Sequence, residues 1–132
     1  MAFKEGDRIA IEVDITDKLV ADFAQVSGDF NPIHMDENYA KKTRFGRRIA
    51  HGMLSGALIS RALAMNLESG GIYLSQTLKF LSPIYIGDHI KIELVVTNLR
   101  DNGMAAIDTT VTNQNGEVCV KGVAMIKRPE QV

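Results

Sequence analysis

The stretch that begins near Ala50-His51-Gly52 and runs to about Asn66 is apolar on nearly every side when wound as a helix. Met53, Leu54, Ala57, Leu58, Ile59, Ala62, Leu63 and Met65 leave it no polar face. Such a helix has to be buried all round, so the rest of the chain is expected to wrap it. The full apolar run, Ile49 to Leu67, is long enough to reach across a bilayer. His51, Arg61 and Asn66 interrupt it and no aromatic belt flanks it, which favours a buried core helix over a membrane span.

After Gly70-Gly71 the hydrophobic period shortens from about 3.6 residues to about 2, the change from helix to strand. Strands are expected at 72–82, 89–99, 104–113 and 117–127. Asp101-Asn102-Gly103 and Asn113-Gln114-Asn115-Gly116 have hairpin-turn composition, because Asn and Gly accept positive φ at low cost. Short turns join antiparallel neighbours. Upstream, Ile9, Ile11, Val13 and Ile15 alternate with Arg8, Glu12 and Asp14, a half-buried strand. Thr16 then offers an N-cap to a helix carrying Leu19, Val20, Phe23 and Val26, which should end near Ser27-Gly28. Residues 28–34 are expected to be a loop, since Pro32 opposes helical continuation. Asp36 to Lys42 suggests a short helix and residues 43–48 a basic loop. The whole, residues 1–132, is expected to be one α+β domain: a long central helix wrapped by a curved antiparallel sheet.

A chain of 132 residues can bury a core without disulfides or metals. A formal net charge of −1 gives no broad surface for nucleic acid. Cys119 stands alone, so no intrachain disulfide forms, and a reducing cytoplasm is the simple reading. The start, Met1-Ala2-Phe3-Lys4-Glu5-Gly6-Asp7, has no apolar signal core.

The segment Gly28-Asp29-Phe30-Asn31-Pro32-Ile33-His34 holds the most chemistry. A loop bent at Pro32 can bring Asp29 and His34 to one point, where a carboxylate takes a proton from water and an imidazole gives or takes one near neutral pH. The competing reading is structural: Asp-x-Asn-Pro is common turn composition, and Asp29 can simply satisfy backbone N–H groups. His51-Gly52-Met53-Leu54 opens the apolar helix, where unpaired N–H groups can hold a developing oxyanion and Gly52 permits close approach. Alternatively Gly52 only allows tight packing. His51 itself fits a structural histidine better than a catalyst. His34, His51 and His89 lack a His-x-x-x-His spacing, so no metal is expected. Ser55 and Ser60 have no nucleophile elbow around them and suit helix-packing polar groups or donors supporting the site. A cluster such as Arg44, Arg47 and Arg48 is usually a solvated loop, but it sits near the candidate loop and is also a candidate for an anionic ligand tail.

The run Phe23 to His34, with His51-Gly52-Met53-Leu54 and the stretch Phe80-Leu81-Ser82-Pro83-Ile84-Tyr85-Ile86-Gly87-Asp88, resembles the hydratase 2 motif of MaoC-like (R)-specific enoyl-CoA hydratases. The resemblance spans almost the whole chain. It implies a hot-dog fold and homodimers with substrate tunnels at the subunit interface. It implies reversible addition of water to a trans-2-enoyl-CoA, giving an (R)-3-hydroxyacyl-CoA. The acyl-CoA thioester is then the substrate, and no cofactor is needed, because coenzyme A is part of that substrate. By position, Asp29 and His34 match the catalytic pair, Gly52 the oxyanion N–H, Asn31 a residue ordering the loop or the water, and Ser60 a residue supporting the pair. Leu63, Met65 and Met125 are expected to set tunnel depth. The alternatives are a carrier-protein-linked 3-hydroxyacyl dehydratase, a hot-dog acyl thioesterase, and a non-catalytic acyl-binding subunit.

Overall fold

Alternation and capping organise the computed structural model, which describes residues 4–66 and 70–129. The expectations at Met1–Phe3 and at Leu67 lie outside these residues. The alternating N-terminal run is strand β1 (Arg8–Asp14). Helix α1 (Asp17–Ser27) starts where the Thr16 hydroxyl accepts from the Leu19 N–H and stops at Gly28, which takes φ 76°. Two short helices follow, α2 (Pro32–Met35) and α3 (Glu37–Lys41), and then the long helix α4 (Gly52–Asn66). The C-terminal half gives β2 (Ile72–Gln76), β3 (Lys79–Phe80), β4 (His89–Leu99), β5 (Met104–Thr112) and β6 (Val118–Lys127).

All pairings are antiparallel, in the order β1-β4-β5-β6-β2, with β3 also on β6. The long strands alternate buried and exposed residues. Ile92, Leu94, Val96, Ile107, Val111 and Ile126 form the core with Leu54, Leu58, Ile59 and Leu63 of α4. The α+β expectation of a helix covered by an antiparallel sheet holds.

Three expectations change. Residues 28–34 are not all loop, because Pro32 opens α2 rather than blocking it. At the first helical position its missing N–H costs nothing and its fixed φ suits the helix. Strand 72–82 is broken into β2 and β3. Where it crosses β6, a methyl placed on Gly122 would lie 1.7 Å from the Thr77 carbonyl oxygen. Thr77 closes the break, its N–H donating to Val123 O and its hydroxyl accepting from Val123 N, each at 2.9 Å. Finally, α4 is buried on one face only. Met53 is 58% exposed and Met65 67%, since one sheet covers one side of a helix. Its 15 residues are also short of a membrane span, and among the described residues no helix is long and apolar enough to cross a bilayer.

Candidate active site

Local turn chemistry places the two predicted groups. The Asp29 Oδ1 accepts from the Asn31 N–H at 3.1 Å, and the Asn31 Oδ1 accepts from the Ile33 N–H at 3.3 Å. These two successive turns cap α2, so Asn31 orders the loop. One turn into α2, His34 is 8% exposed, and its Nε2 lies 4.0 Å from Asp29 Oδ2. Two residues five positions apart, which share no face of a continuous helix, are thus brought together by a cap followed by a single turn.

The tautomer of His34 follows from its other nitrogen. Nδ1 sits 2.8 Å from the Ile49 carbonyl oxygen, which only accepts, so Nδ1 carries the proton. In the neutral ring Nε2 is bare. Burial is the largest influence on this ring and lowers its pKa below the ordinary 6.5. The Ile49 hydrogen bond and Asp29 pull it up, and His51 pushes it down. Asp29 Oδ2 and His34 Nε2 are therefore two acceptors facing each other. They cannot bond directly, but one water can donate an O–H to each, leaving its lone pairs turned outward.

His51 does more than pack. It is 3% exposed, its Nε2 donates to the Asp29 carbonyl at 2.8 Å, and its ring stacks on His34 with centroids 4.0 Å apart. It therefore holds both the backbone of Asp29 and the face of the His34 imidazole. Its Nδ1 is buried without a hydrogen-bond partner among the described residues. Phe23 backs it at 4.9 Å. Donor atoms of Asp29, His34 and His51 lie within 4.8 Å of one another, close enough to share a cation. The fold creates this group, and no spacing in the sequence announces it.

His34, His51, Gly52 and Ser55 line one pocket of about 370 Å³ with Phe80 and Ile84. Asp29 stands at its edge with its side chain 49% exposed. As the first residue of α4, Gly52 offers an N–H that has no partner within the helix. Phe80 covers it so closely that a methyl on Gly52 would meet the ring at 2.9 Å.

The remaining predicted residues disperse. Ser60 is exposed on α4, roughly 12 Å along the axis from Gly52 at 1.5 Å per residue. It does not line the pocket. Ser55, 2% exposed and one turn from Gly52, is the serine that does. Arg44 lines the pocket. Arg47 stacks over Tyr85 at 4.0 Å. Arg48 is not free for a ligand tail. Its Nε donates to the His34 carbonyl and its guanidinium to Asp17 Oδ1, each at 2.7 Å. That contact also holds the Asp17 carboxyl below its usual range. Arg48 thus ties the start of α1 to the turn carrying the imidazole. The sequence does not single out His51 or Phe80 as site residues, and it offers Ser55 only as a helix-packing or supporting polar group, although its one-turn spacing from Gly52 is a readable signal.

The MaoC like domain family matches residues 3–118 of the chain. An (R)-specific enoyl-CoA hydratase of Aeromonas caviae is 44% identical over 112 residues, which are 83% of this chain and 84% of that protein. A 3-hydroxybutyryl-CoA dehydratase of Methylorubrum extorquens is 37% identical over 122 residues, 92% of this chain and 78% of that protein. Among solved structures, the unliganded R-hydratase of Pseudomonas aeruginosa matches with a TM-score of 0.93 at 45% identity, covering 98% of this chain and 84% of that one. With this helix and sheet, the architecture is the hot-dog fold. The agreement of motif, fold and sequence over most of the length means that the chain belongs to the MaoC-like domain family.

Proposed function

We propose that this protein is an (R)-specific enoyl-CoA hydratase, a hydro-lyase that reversibly adds water to a trans-2-enoyl-CoA to give an (R)-3-hydroxyacyl-CoA. One observation carries the reading: Asp29 Oδ2 and the bare Nε2 of His34 form a 4.0 Å acceptor pair at the edge of an apolar pocket that Gly52 also lines. The named relatives support the substrate class.

The chemistry follows from that geometry. The thioester oxygen accepts from the Gly52 N–H at the helix start, which draws electrons from the conjugated alkene and leaves its β-carbon electrophilic. Water donates one O–H to Asp29 and one to His34. Asp29 takes a proton as general base while the water oxygen bonds the β-carbon. The π electrons move to the thioester oxygen as an enolate. When the enolate collapses, the α-carbon takes a proton from the Asp29–His34 pair. Because Nε2 starts bare, that proton is one the pair has just received from water. The balance is one water added and nothing else consumed, so no cofactor is required. The site has no use for a metal in this scheme, since the bare lone pair of His34 and the Asp29 oxygen are both engaged by water.

Arg44 and Arg47 remain candidates for the phosphates of coenzyme A. The exposed apolar side chains Met53, Met65, Ile72 and Leu74 support association with a second copy, as in the homodimers implied by the resemblance. Buried, unpaired Cys119 suits a reducing cytoplasm.

The test is incubation of the purified protein with trans-2-crotonyl-CoA. Loss of the enoyl chromophore with formation of (R)-3-hydroxybutyryl-CoA is expected. Release of free thiol would make it a thioesterase, and activity confined to carrier-protein thioesters would move the substrate to that carrier.

A further inference from the structure

A second cavity, of about 470 Å³, lies beside the catalytic pocket and is lined by Met53, Gly56, Tyr73, Gln76, Leu78 and Phe80. Phe80 lines both cavities. Its ring rests on Gly52, between the pocket that holds His34 and the space beyond the first turn of α4. It is 54% exposed, and so it is not locked into the core. Its backbone is fixed by β3, which pairs Phe80 with Val120 of β6. A ring on a fixed backbone with a half-free side chain can swing without unfolding anything.

The far cavity suits an apolar occupant. Its polar groups already satisfy one another. The Tyr73 hydroxyl donates to Gln76, and the Gln76 amide donates to the Thr77 carbonyl at 2.8 Å and to the Thr109 hydroxyl at 2.9 Å. An alkyl chain entering there leaves no buried donor or acceptor unpaired, which is where the cost of filling a polar cavity would come from. Of the residues expected to set tunnel depth, Leu63 is buried in the core, Met125 is partly buried on β6, and Met65 is 67% exposed at the far end of α4; none of the three lines this cavity.

We infer that Phe80 is a shutter between two acyl subsites and sets the chain-length range of the enzyme. The inference rests on the hydratase reading. With the ring in its present place, a short acyl group fills the catalytic pocket. When the ring swings off Gly52, a longer chain passes into the cavity by Met53 and Leu78. Each methylene then buried strengthens binding by roughly fourfold.

The experiment measures kcat/KM of the full protein for trans-2-crotonyl-CoA and trans-2-decenoyl-CoA, in native form and as Phe80→Ala and Phe80→Trp. The ratio of the long to the short substrate is expected to rise about tenfold or more in the alanine variant and to fall in the tryptophan variant. Phe80→Leu, which keeps an apolar contact on Gly52, gives the same comparison should the alanine variant not fold. A ratio within about threefold of native in every variant overturns the inference, since less than one methylene of binding would then be at stake. A native protein inactive on all enoyl-CoA lengths would instead overturn the hydratase reading and this inference with it. The native crotonyl-CoA rate tells the two failures apart.

Discussion

Replacing Asp29 with Asn isolates the proposed base from the fold that carries it. The carboxamide oxygen can still accept from the Asn31 N–H, now bonded at 3.1 Å, so the turn into α2 is retained. The amide nitrogen would then occupy the place of Oδ2, 4.0 Å from His34 Nε2. An acceptor becomes a donor aimed at the bare imidazole nitrogen, so the water loses one anchor and competes for the other. Loss of a positioned general base costs about a hundred- to ten-thousandfold in rate, or roughly 3–5 kcal/mol of barrier. Stability should hardly move, because the side chain is 49% exposed and surface changes of this kind stay within about 0.5 kcal/mol. Steady-state loss of crotonyl-CoA, run beside thermal unfolding, reads both quantities. A fall in kcat with the melting temperature kept is the expected result. An Asn variant within about tenfold of native kcat would refute the assignment, and a rise in KM alone would make Asp29 a binding group.

Three further outcomes are expected. Burial lowers the pKa of His34, and the bare ring is the working form, so the acid limb of kcat/KM should lie below 6.5. The unfolded chain takes up that proton first, so stability should also decline as pH falls below 6.5; an acid limb at or above that value would contradict a pKa lowered by burial. Arg48→Met should lower kcat and cost about 1–3 kcal/mol of stability by stranding the His34 carbonyl, whereas Arg44→Ala should raise KM more at low salt than at high salt. Equal effects from the two would undo the distinction between clamp and ligand contact. Gly122→Ala should cost about 3 kcal/mol or more, read as a melting point lowered by roughly 10 °C, because its methyl meets backbone at 1.7 Å; a shift under about 2 °C would mean the crossover can relax.

What the residues revealed in advance was local chemistry. Thr16 and Gly28 bound α1 because a cap and a left-handed stop each act within a few residues. The turns at Gly103 and Gly116 were readable for the same reason. The role of Pro32 is not legible locally, because a proline that breaks one helix and a proline that starts the next look alike until the following turn is seen. The break at Thr77 depends on Gly122, a partner distant in sequence that no short window contains. Periodicity described α4 correctly as apolar all round but could not say which face its own sheet would cover. The pairing of Asp29 with His34 was suggested by composition, and its geometry is fixed by tertiary contacts. Nothing near Asp29 in the chain hints that His51 will grip its carbonyl, and nothing near His34 hints that Ile49 will choose its tautomer.

The two ends of the sheet path are chemically unlike. At one end, β1 carries Arg8, Glu12 and Asp14, and His89 on the neighbouring strand bonds both Asp14 and Glu12, which raises its pKa above the ordinary value. At the other end, β2 shows Ile72 at 55% and Leu74 at 48% exposure. A sheet with charge along one border and oil along the other has only one direction in which to grow. Joining two copies through β2, as the proposed homodimer would, would use up that border in both and leave ionic rims facing outward. Addition would then stop at a finite particle, where a chain with two oily borders would feed an endless ribbon.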